Sequence, residues 1–555
     1  MSESPTAIAE NRSTSSAARI GWALLIFATL YVCYFSHLGA IGFVGPDEPR
    51  YAWIARDMAE TGDWVTPRLY GKPWFEKPPL FYWGAALSFK LFGVSEAAAR
   101  LPSALSALLA TLALAFLALR LYGAETARWL LLLLPTSVGM IGFSHAAATD
   151  MPFSGMLTIA MVCAAVVLGL TRNENTPILP RTPWLALLLF GFFLGLAVLA
   201  KGPAAIILSG GAVFFWALFT KRWRDAFRLF HPVGIAAFCL TALPWYILCA
   251  RRNPDFFRIF IIEHNFKRFL TPEFQHIQPF WYYGPILLLA VLPWSAVFLW
   301  SFIAGSYQSW KNRILSHSTG FFLVWAVFCV AFFSISQSKL PGYILPSIPA
   351  IGLLLARSCT SLAPRLNKSF GVFTLSYGFL ISGVLLFLGW SNTRLLAKID
   401  AFRPVAFFIL LVLTVPCLIL GVGSLWHSKR SLRSATLILA IAPVIGLLAN
   451  WTWIASHVPL FVFSPDYLAK EIQAEKIPVN SLRVSGVTRS FRYGLNFYLH
   501  TEIPEWDRDT SYEVYLLTGA ALQTCNDRPK EMRCSNLWDM QERLDTYRLF
   551  LLIPK

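Results

Sequence analysis

Apolar windows of about 17 to 24 residues recur along almost the whole chain, about thirteen of them, centred from near residue 31 to near residue 444. A helix needs roughly 20 apolar residues to cross a hydrocarbon core of about 30 Å, so each window predicts a spanning helix, the first over Ile20 to Phe43. The pattern breaks twice on a large scale. Residues 44–101 form a long polar and aromatic loop in which Tyr51-Ala-Trp-Ile-Ala-Arg-Asp-Met-Ala is apolar on one face and charged on the other, which predicts a helix lying along the membrane interface. Pro79 to Phe92 predicts a second interfacial helix, or a short spanning one. From Ser464 the texture changes to short runs separated by polar turns. Ser481 to Val487, Leu495 to Leu499, Tyr512 to Leu517 and Tyr547 to Leu552 read as strands, with helical signals at Asp466 to Glu475 and Ser535 to Leu544.

The expected organisation is therefore a 1–19 cytoplasmic tail, a 20–455 transmembrane region and a 456–555 α/β domain. Two short connections, Thr220 to His231 with Lys221, Arg222, Arg224 and Arg228, and Trp426 to Ser434 with Lys429, Arg430 and Arg433, belong on the cytoplasmic side by charge bias. The loop with Asp47 and the C-terminal region then lie on the outer, periplasmic or extracellular side. The first 19 residues are polar and the following run is too long for a signal-peptide core, so the first span reads as retained.

Composition agrees with a polytopic membrane protein: of 555 residues, 56% are hydrophobic and 14% charged. A net charge of +17 raises the possibility of nucleic acid, but the cations are scattered between apolar spans and form no basic stripe, which favours lipid and phosphate as partners. Seven of the nine cysteines lie in or beside apolar spans and read as small hydrophobes, while Cys525 and Cys534 could pair in an oxidising compartment. Neither a Gly-rich phosphate loop nor a nucleotide fingerprint is present, so no nucleotide cofactor is expected.

Chemistry concentrates on the outer face. Asp47 and Glu48 follow directly on a span, and Asp150 ends Ala146-Ala-Ala-Thr-Asp, where the next loop emerges on the same side. A lone interfacial carboxylate is ordinarily a solvated loop-end acid, but Asp150 sits between two apolar spans with no adjacent cation. Arg50, Arg56, Lys77, Arg100, Lys201, Arg251, Arg252, Arg258, Lys267, Arg268 and Lys339 share that face, and a phosphate wants several such donors from different elements. Helix-end snorkelling is the plain alternative for Lys201, in Leu199-Ala-Lys-Gly-Pro. Lys339-Leu-Pro-Gly-Tyr343 adds a phenol. His264 lies within reach of no ligand spacing of its own.

Taken in order, Asp47-Glu48, Phe75-Glu-Lys-Pro-Pro-Leu, Ala99-Arg-Leu-Pro-Ser, Ala148-Thr-Asp-Met-Pro, Leu199-Ala-Lys-Gly-Pro and Lys339-Leu-Pro-Gly-Tyr-Ile resemble the integral-membrane GT-C glycosyltransferases of the protein-mannosyltransferase-like group. Within that group the chain is similar to the bacterial undecaprenyl phosphate 4-amino-4-deoxy-L-arabinose: lipid A transferases. The resemblance implies a monomeric enzyme of the bacterial inner membrane with a periplasmic active site. It would move an aminoarabinose from undecaprenyl phosphate to lipid A phosphates, giving resistance to polymyxin. It makes Asp47 and Asp150 the catalytic carboxylates. Arg50, Lys77, Lys201, Tyr343 and Arg258 become carrier-phosphate ligands, and Glu76 with His264 become ligands of a divalent metal such as zinc. Two rivals stay open: a protein O-mannosyltransferase-like enzyme on the same scaffold, and a non-enzymatic flippase for lipid-linked sugars.

Overall fold

A computed structural model describes residues 16–171, 183–271, 277–301, 303, 317–362, 371–380, 383, 422, 465–506, 514–518, 532–541 and 546–554. Every apolar window within these residues is helical. Among the described residues six helices are long and apolar enough to cross a membrane: Glu96–Tyr122, Asp150–Val167, Trp184–Lys201, Pro232–Arg252, His317–Ile335 and Pro341–Thr360. The windows near residues 413 and 444, the basic connection at 426–434 and Cys525 lie outside the described residues.

Two windows expected as straight spans are broken. Ala124–Leu133 and Val138–Ser144 meet at 62°, and Phe280–Ala290 and Ser295–Ser301 at 117°. Proline explains both, because Pro135 and Pro293 lie in the breaks and cannot donate to a continuing helix. The first helix, Ser16–Tyr34, stops nine residues before the expected Phe43. His37, Gly39 and Gly45 follow it, with His37 and Gly45 in the left-handed region, so the chain leaves helical geometry here.

Asp150–Val167 is the spine of the fold, buried at all but its ends. It packs against Glu96–Tyr122 so closely that a Cβ on Gly155 would lie 2.8 Å from the Ser106 carbonyl oxygen. On its other side Trp184–Lys201 meets Pro232–Arg252 across Gly191, where a Cβ would come within 2.0 Å of the Gly234 carbonyl. Small residues substitute here for the hydrophobic effect, which lipid cannot supply between helices.

Both loop helices form, as Asp47–Thr61 and Leu80–Phe92. The first is not a bare interfacial helix: residues Glu48 to Ala55 are buried beneath Leu80–Phe92 and the C-terminal helix Arg489–Leu499. Leu495 to Leu499, expected as a strand, lies in that helix, and its Phe491, Leu495 and Leu499 recur every four residues toward the core. Of Ser535 to Leu544, expected as a helix, residues 535–541 lie instead in the strand Met532–Gln541, and 542–544 are outside the described residues. That strand completes a four-stranded sheet in the order 482–485, 514–518, 546–554, 532–541, parallel in its first pair and antiparallel thereafter. The helix Pro465–Ala474 packs beside it.

Docking between the two regions is polar and specific. Trp53 Nε1 donates to Glu502 Oε1 at 2.8 Å, Arg56 Nη1 to the Phe497 carbonyl at 2.8 Å, and Tyr498 Oη to Glu96 Oε1 at 2.9 Å. Arg56 is therefore structural.

Glu48 and Arg100 are structural too. The buried Glu48 carboxylate accepts from Arg100 Nε (3.0 Å) and Nη2 (2.9 Å), from the Ala147 amide (2.7 Å) and from the Val44 amide (2.9 Å). Arg100 also donates to the carbonyls of Leu38, Ile41 and Gly42. This strut ties the start of Asp47–Thr61 to the loop that leads into Asp150. Removing one partner of such a buried pair leaves the other uncompensated, at a cost of about 3–5 kcal/mol. Glu48→Gln and Arg100→Ala are each expected to lower the thermal midpoint of the detergent-solubilised protein by several degrees. Unchanged tryptophan-fluorescence midpoints in both would show that the strut does not hold the loops together.

Candidate functional site

Four segments converge where the helices meet the long loop. Asp47 stands at the start of Asp47–Thr61, Asp150 at the start of Asp150–Val167, and Lys201 at the end of Trp184–Lys201. Glu76 and Lys77 come from the proline-punctuated stretch before Leu80–Phe92. Pro78 and Pro79 keep that backbone out of a helix until Leu80, so the two charges face inward rather than along a helix surface.

Arg50 bridges two acids, with Nη2 at 2.6 Å from Asp47 Oδ1 and Nη1 at 3.0 Å from Glu76 Oε2. Its guanidinium carbon is held among aromatic faces at 5.0 Å from the Tyr51 ring, 5.4 Å from Trp74 and 5.9 Å from Tyr493 of the C-terminal region. Glu76 Oε1 also faces Lys77 Nζ at 3.5 Å and Arg268 Nη1 at 3.3 Å. Burial alone would raise the Glu76 pKa, but Lys77, Arg50 and Arg268 outweigh it and hold the carboxyl at about 2. Lys77 bears the other side of that crowding. Burial pushes it down to about 8, with Arg268 and Lys201 adding to the fall and Glu76 opposing it.

Asp150 does have a cation, brought from 51 residues away: Lys201 Nζ lies 2.5 Å from its Oδ1. The same ammonium sits 4.7 Å above the Tyr343 ring. This contact explains the glycine in Lys339-Leu-Pro-Gly-Tyr343, since a Cβ on Gly342 would lie 2.6 Å from Asp150 Oδ1. Only glycine lets the chain pass close enough to Asp150 for the next residue to reach Lys201.

Glu76, Lys77, Lys201, His264, Arg268 and Tyr343 all line one cavity of about 360 Å³. Most of its remaining wall is apolar, including Ile207, Phe260, Phe269, Leu270, Phe332 and Phe333, with Asn265, Ser336 and Ser338 as the polar members. Four cations, Arg50, Lys77, Lys201 and Arg268, face three carboxylates, Asp47, Glu76 and Asp150, so the cluster carries an excess positive charge at the head of a greasy groove. That is the shape of a site for an anionic lipid.

Several expected residues fall outside it. Arg258 is more than half exposed and committed to Asp255 at 3.3 Å and Glu263 at 2.5 Å, so it does not reach the phosphate cluster. Arg252 pairs with Asp63 at 3.0 Å, and Lys339 Nζ donates to the carbonyls of Gln278 and Ser336. Arg268, one of five cations between 251 and 268, is the one whose charge enters the cluster. Nothing in the spacing of that loop singled it out. Tyr493 and Trp74 were likewise missed, because aromatic residues are too common here to stand out.

Glu76 and His264, expected as metal ligands, line the same cavity. Both oxygens of Glu76 already face cations, which repel a further positive ion, and among the described residues no three His, Cys, Asp or Glu side chains converge. His264 is kept neutral at ordinary pH by burial, with Lys77 and Arg268 beyond the opposing Glu76.

Comparison with known proteins agrees with this geometry. Residues 20–260 match the family model of dolichyl-phosphate-mannose-protein mannosyltransferases. The fold matches crystal structures of ArnT from Cupriavidus metallidurans, bound to undecaprenyl phosphate and in the apo state. Both have a TM-score of 0.75, at 24% and 23% identity, over 95% and 96% of this chain and 98% of theirs. The undecaprenyl phosphate-alpha-4-amino-4-deoxy-L-arabinose arabinosyl transferase of Aeromonas salmonicida is 30% identical over 75% of this chain and 78% of its own. That of Edwardsiella ictaluri is 32% identical over 77% and 76%. With these relatives matched over three quarters of their length and the fold shared throughout, the chain belongs to the undecaprenyl phosphate-alpha-4-amino-4-deoxy-L-arabinose arabinosyl transferase family of membrane glycosyltransferases.

Proposed function

We propose that this protein transfers 4-amino-4-deoxy-L-arabinose from undecaprenyl phosphate to phosphate groups of lipid A, at the periplasmic face of the bacterial inner membrane. The observation that carries this reading is the cavity in which Lys77, Lys201 and Arg268 stand at the head of an apolar groove, with Asp150 bonded to Lys201. The groove takes the prenyl chain and the cations take its phosphate. Family membership supplies the sugar and the carrier, and a lipid A phosphate, already anionic, would accept the sugar without a strong base, whereas a protein hydroxyl would need Asp47 as one.

The chemistry balances without a cofactor. An oxygen of the acceptor phosphate, already anionic, attacks C1 of the sugar. The bond from C1 to the carrier phosphate breaks, and its electron pair leaves on undecaprenyl phosphate. Lys77, Lys201 and Arg268 stabilise the charge that grows on the leaving group, while Asp47 and Asp150 stabilise positive charge at C1 or bind the sugar amine. Breakage of the Lys201–Asp150 pair on carrier binding would free both groups for these roles.

Lipid A from cells with and without the chain distinguishes the readings by mass spectrometry. The expected result is a pentosamine adduct on lipid A only where the chain is present. Unmodified lipid A beside newly glycosylated proteins would move the assignment to a protein O-glycosyltransferase. Unmodified lipid A with altered sidedness of the lipid-linked sugar would make the protein a flippase.

A further inference from the structure

A second groove runs along the helix Ala204–Thr220, from Ile206 near the site above to the connection at the helix's other end. Trp184–Lys201 carries Lys201 at its last residue and Ala204–Thr220 starts beside it, so the connection at 221–231 sits a helix length away, about 26 Å for 17 residues, and the groove spans that length. There the two helices and Pro232–Arg252 leave a cavity of about 500 Å³ with almost no polar lining, walled by Leu194, Ile206, Val213, Phe214 and Phe238. The short segment Trp223–Phe230 closes one end of it. Trp223, Ala226, Phe227, Leu229 and Phe230 line the groove, and Arg224, Asp225 and Arg228 lie between them.

Residues 221–228 hold four cations and one carboxylate. Asp225 is taken by Arg222 at 2.6 Å and Arg228 at 3.0 Å. Lys221 and Arg224 are exposed and make no ion pair among the described residues. A segment whose aromatic residues line an apolar groove, with the cations Lys221 and Arg224 within two residues of the lining Trp223, presents two complements at once, for an acyl chain and for an anionic headgroup.

We infer that this groove is a binding site for an anionic phospholipid of the leaflet opposite the catalytic cluster, its acyl chain along Ile206, Val213 and Phe214 and its phosphate at Lys221 and Arg224. The occupant is a bilayer lipid and not the carrier: the rim lacks carboxylates positioned for sugar chemistry, and it lies across the membrane from Asp47 and Asp150. The charge bias of this connection places it on the cytoplasmic side, where anionic lipid is in contact with it.

Gly210 provides the test. It lines the groove, and a Cβ there would meet no atom within 4 Å, so the side chain of Gly210→Leu starts into open space in the groove and raises helix propensity. The full-length protein is equilibrated in detergent with equimolar dioleoyl-phosphatidylglycerol and dioleoyl-phosphatidylethanolamine and examined by native mass spectrometry. The wild type is expected to retain the glycerol lipid preferentially. Lys221→Ala with Arg224→Ala is expected to erase the preference, each cation contributing about fivefold, while total bound lipid changes little. Gly210→Leu is expected to reduce both lipids, with an unchanged thermal midpoint in delipidated detergent showing that the variant is folded. Equal retention of the two lipids by the wild type, or wild-type retention of the glycerol lipid by Gly210→Leu, would overturn the inference. The readout is bound lipid, so either failure leaves the transferase reading untouched.

Discussion

Asp150→Asn is expected to lower sugar transfer by about two to three orders of magnitude while leaving affinity for undecaprenyl phosphate equal to or tighter than that of the wild type. The argument rests on the pairing seen in the free protein. Asp150 Oδ1 holds Lys201 at 2.5 Å, so the carboxylate competes with a carrier phosphate for the same ammonium. Neutralising Asp150 removes the competitor and frees Lys201 for the phosphate, yet it also removes the charge that stabilises a developing cation at C1. Asp47→Asn is expected to behave alike in turnover. Arg50 remains anchored there through Glu76 at 3.0 Å, so the cluster keeps its shape. Transfer rates from a purified lipid-linked pentosamine donor, set beside carrier affinities from intrinsic fluorescence, check both variants. Parallel loss of rate and affinity would mean that the carboxylates only maintain the site.

The comparison of expected and observed elements has a physical pattern. Spans were legible because an apolar run in lipid has few alternatives to a helix, and all windows in the described residues became one. Breaks at Pro135 and Pro293 were legible in principle and went unread. Errors gathered in the C-terminal region, where the choice depends on distant partners. Leu495 to Leu499 alternates like a strand over five residues, but Phe491, Leu495 and Leu499 bury one face of a helix against Pro465–Ala474 and the sheet. Ser535 to Leu544 reads as a helix, yet its residues 535–541 are strand because 546–554 offers them an antiparallel edge. The site divides in the same way. Its residue types and order were visible, as were Asp47, Arg50, Lys77, Asp150, Lys201 and Tyr343. Their pairing was not, since Glu76 meets Arg268 across 192 positions and Asp150 meets Lys201 across 51. The same blindness made Arg258 look available for a phosphate, when Asp255 and Glu263 hold it.

Lys77→Ala is expected to weaken binding of undecaprenyl phosphate by about 10- to 100-fold, the worth of a hydrogen bond to a charged group. The pH dependence distinguishes a phosphate ligand from a structural lysine. In the free protein Lys77 titrates near 8, depressed first by burial and then by Arg268 and Lys201. A bound phosphate adds negative charge and raises that pKa, so binding takes up a proton. Carrier affinity is then full below pH 8 and falls as the pH rises through 8 toward the higher pKa of the complex. Stability of the free protein moves the other way. Between about 8 and the unfolded value of 10.5 the unfolded chain binds the extra proton, so this lysine adds to stability as the pH rises. Lys77→Arg keeps its charge throughout and should flatten the affinity profile near pH 8 while retaining much of the binding. Titrations of carrier binding at pH 7, 8 and 9 for wild type, Lys77→Arg and Lys77→Ala measure this directly. A wild-type affinity that is level across that range would remove Lys77 from the phosphate clamp and leave Arg268 and Lys201 to carry it.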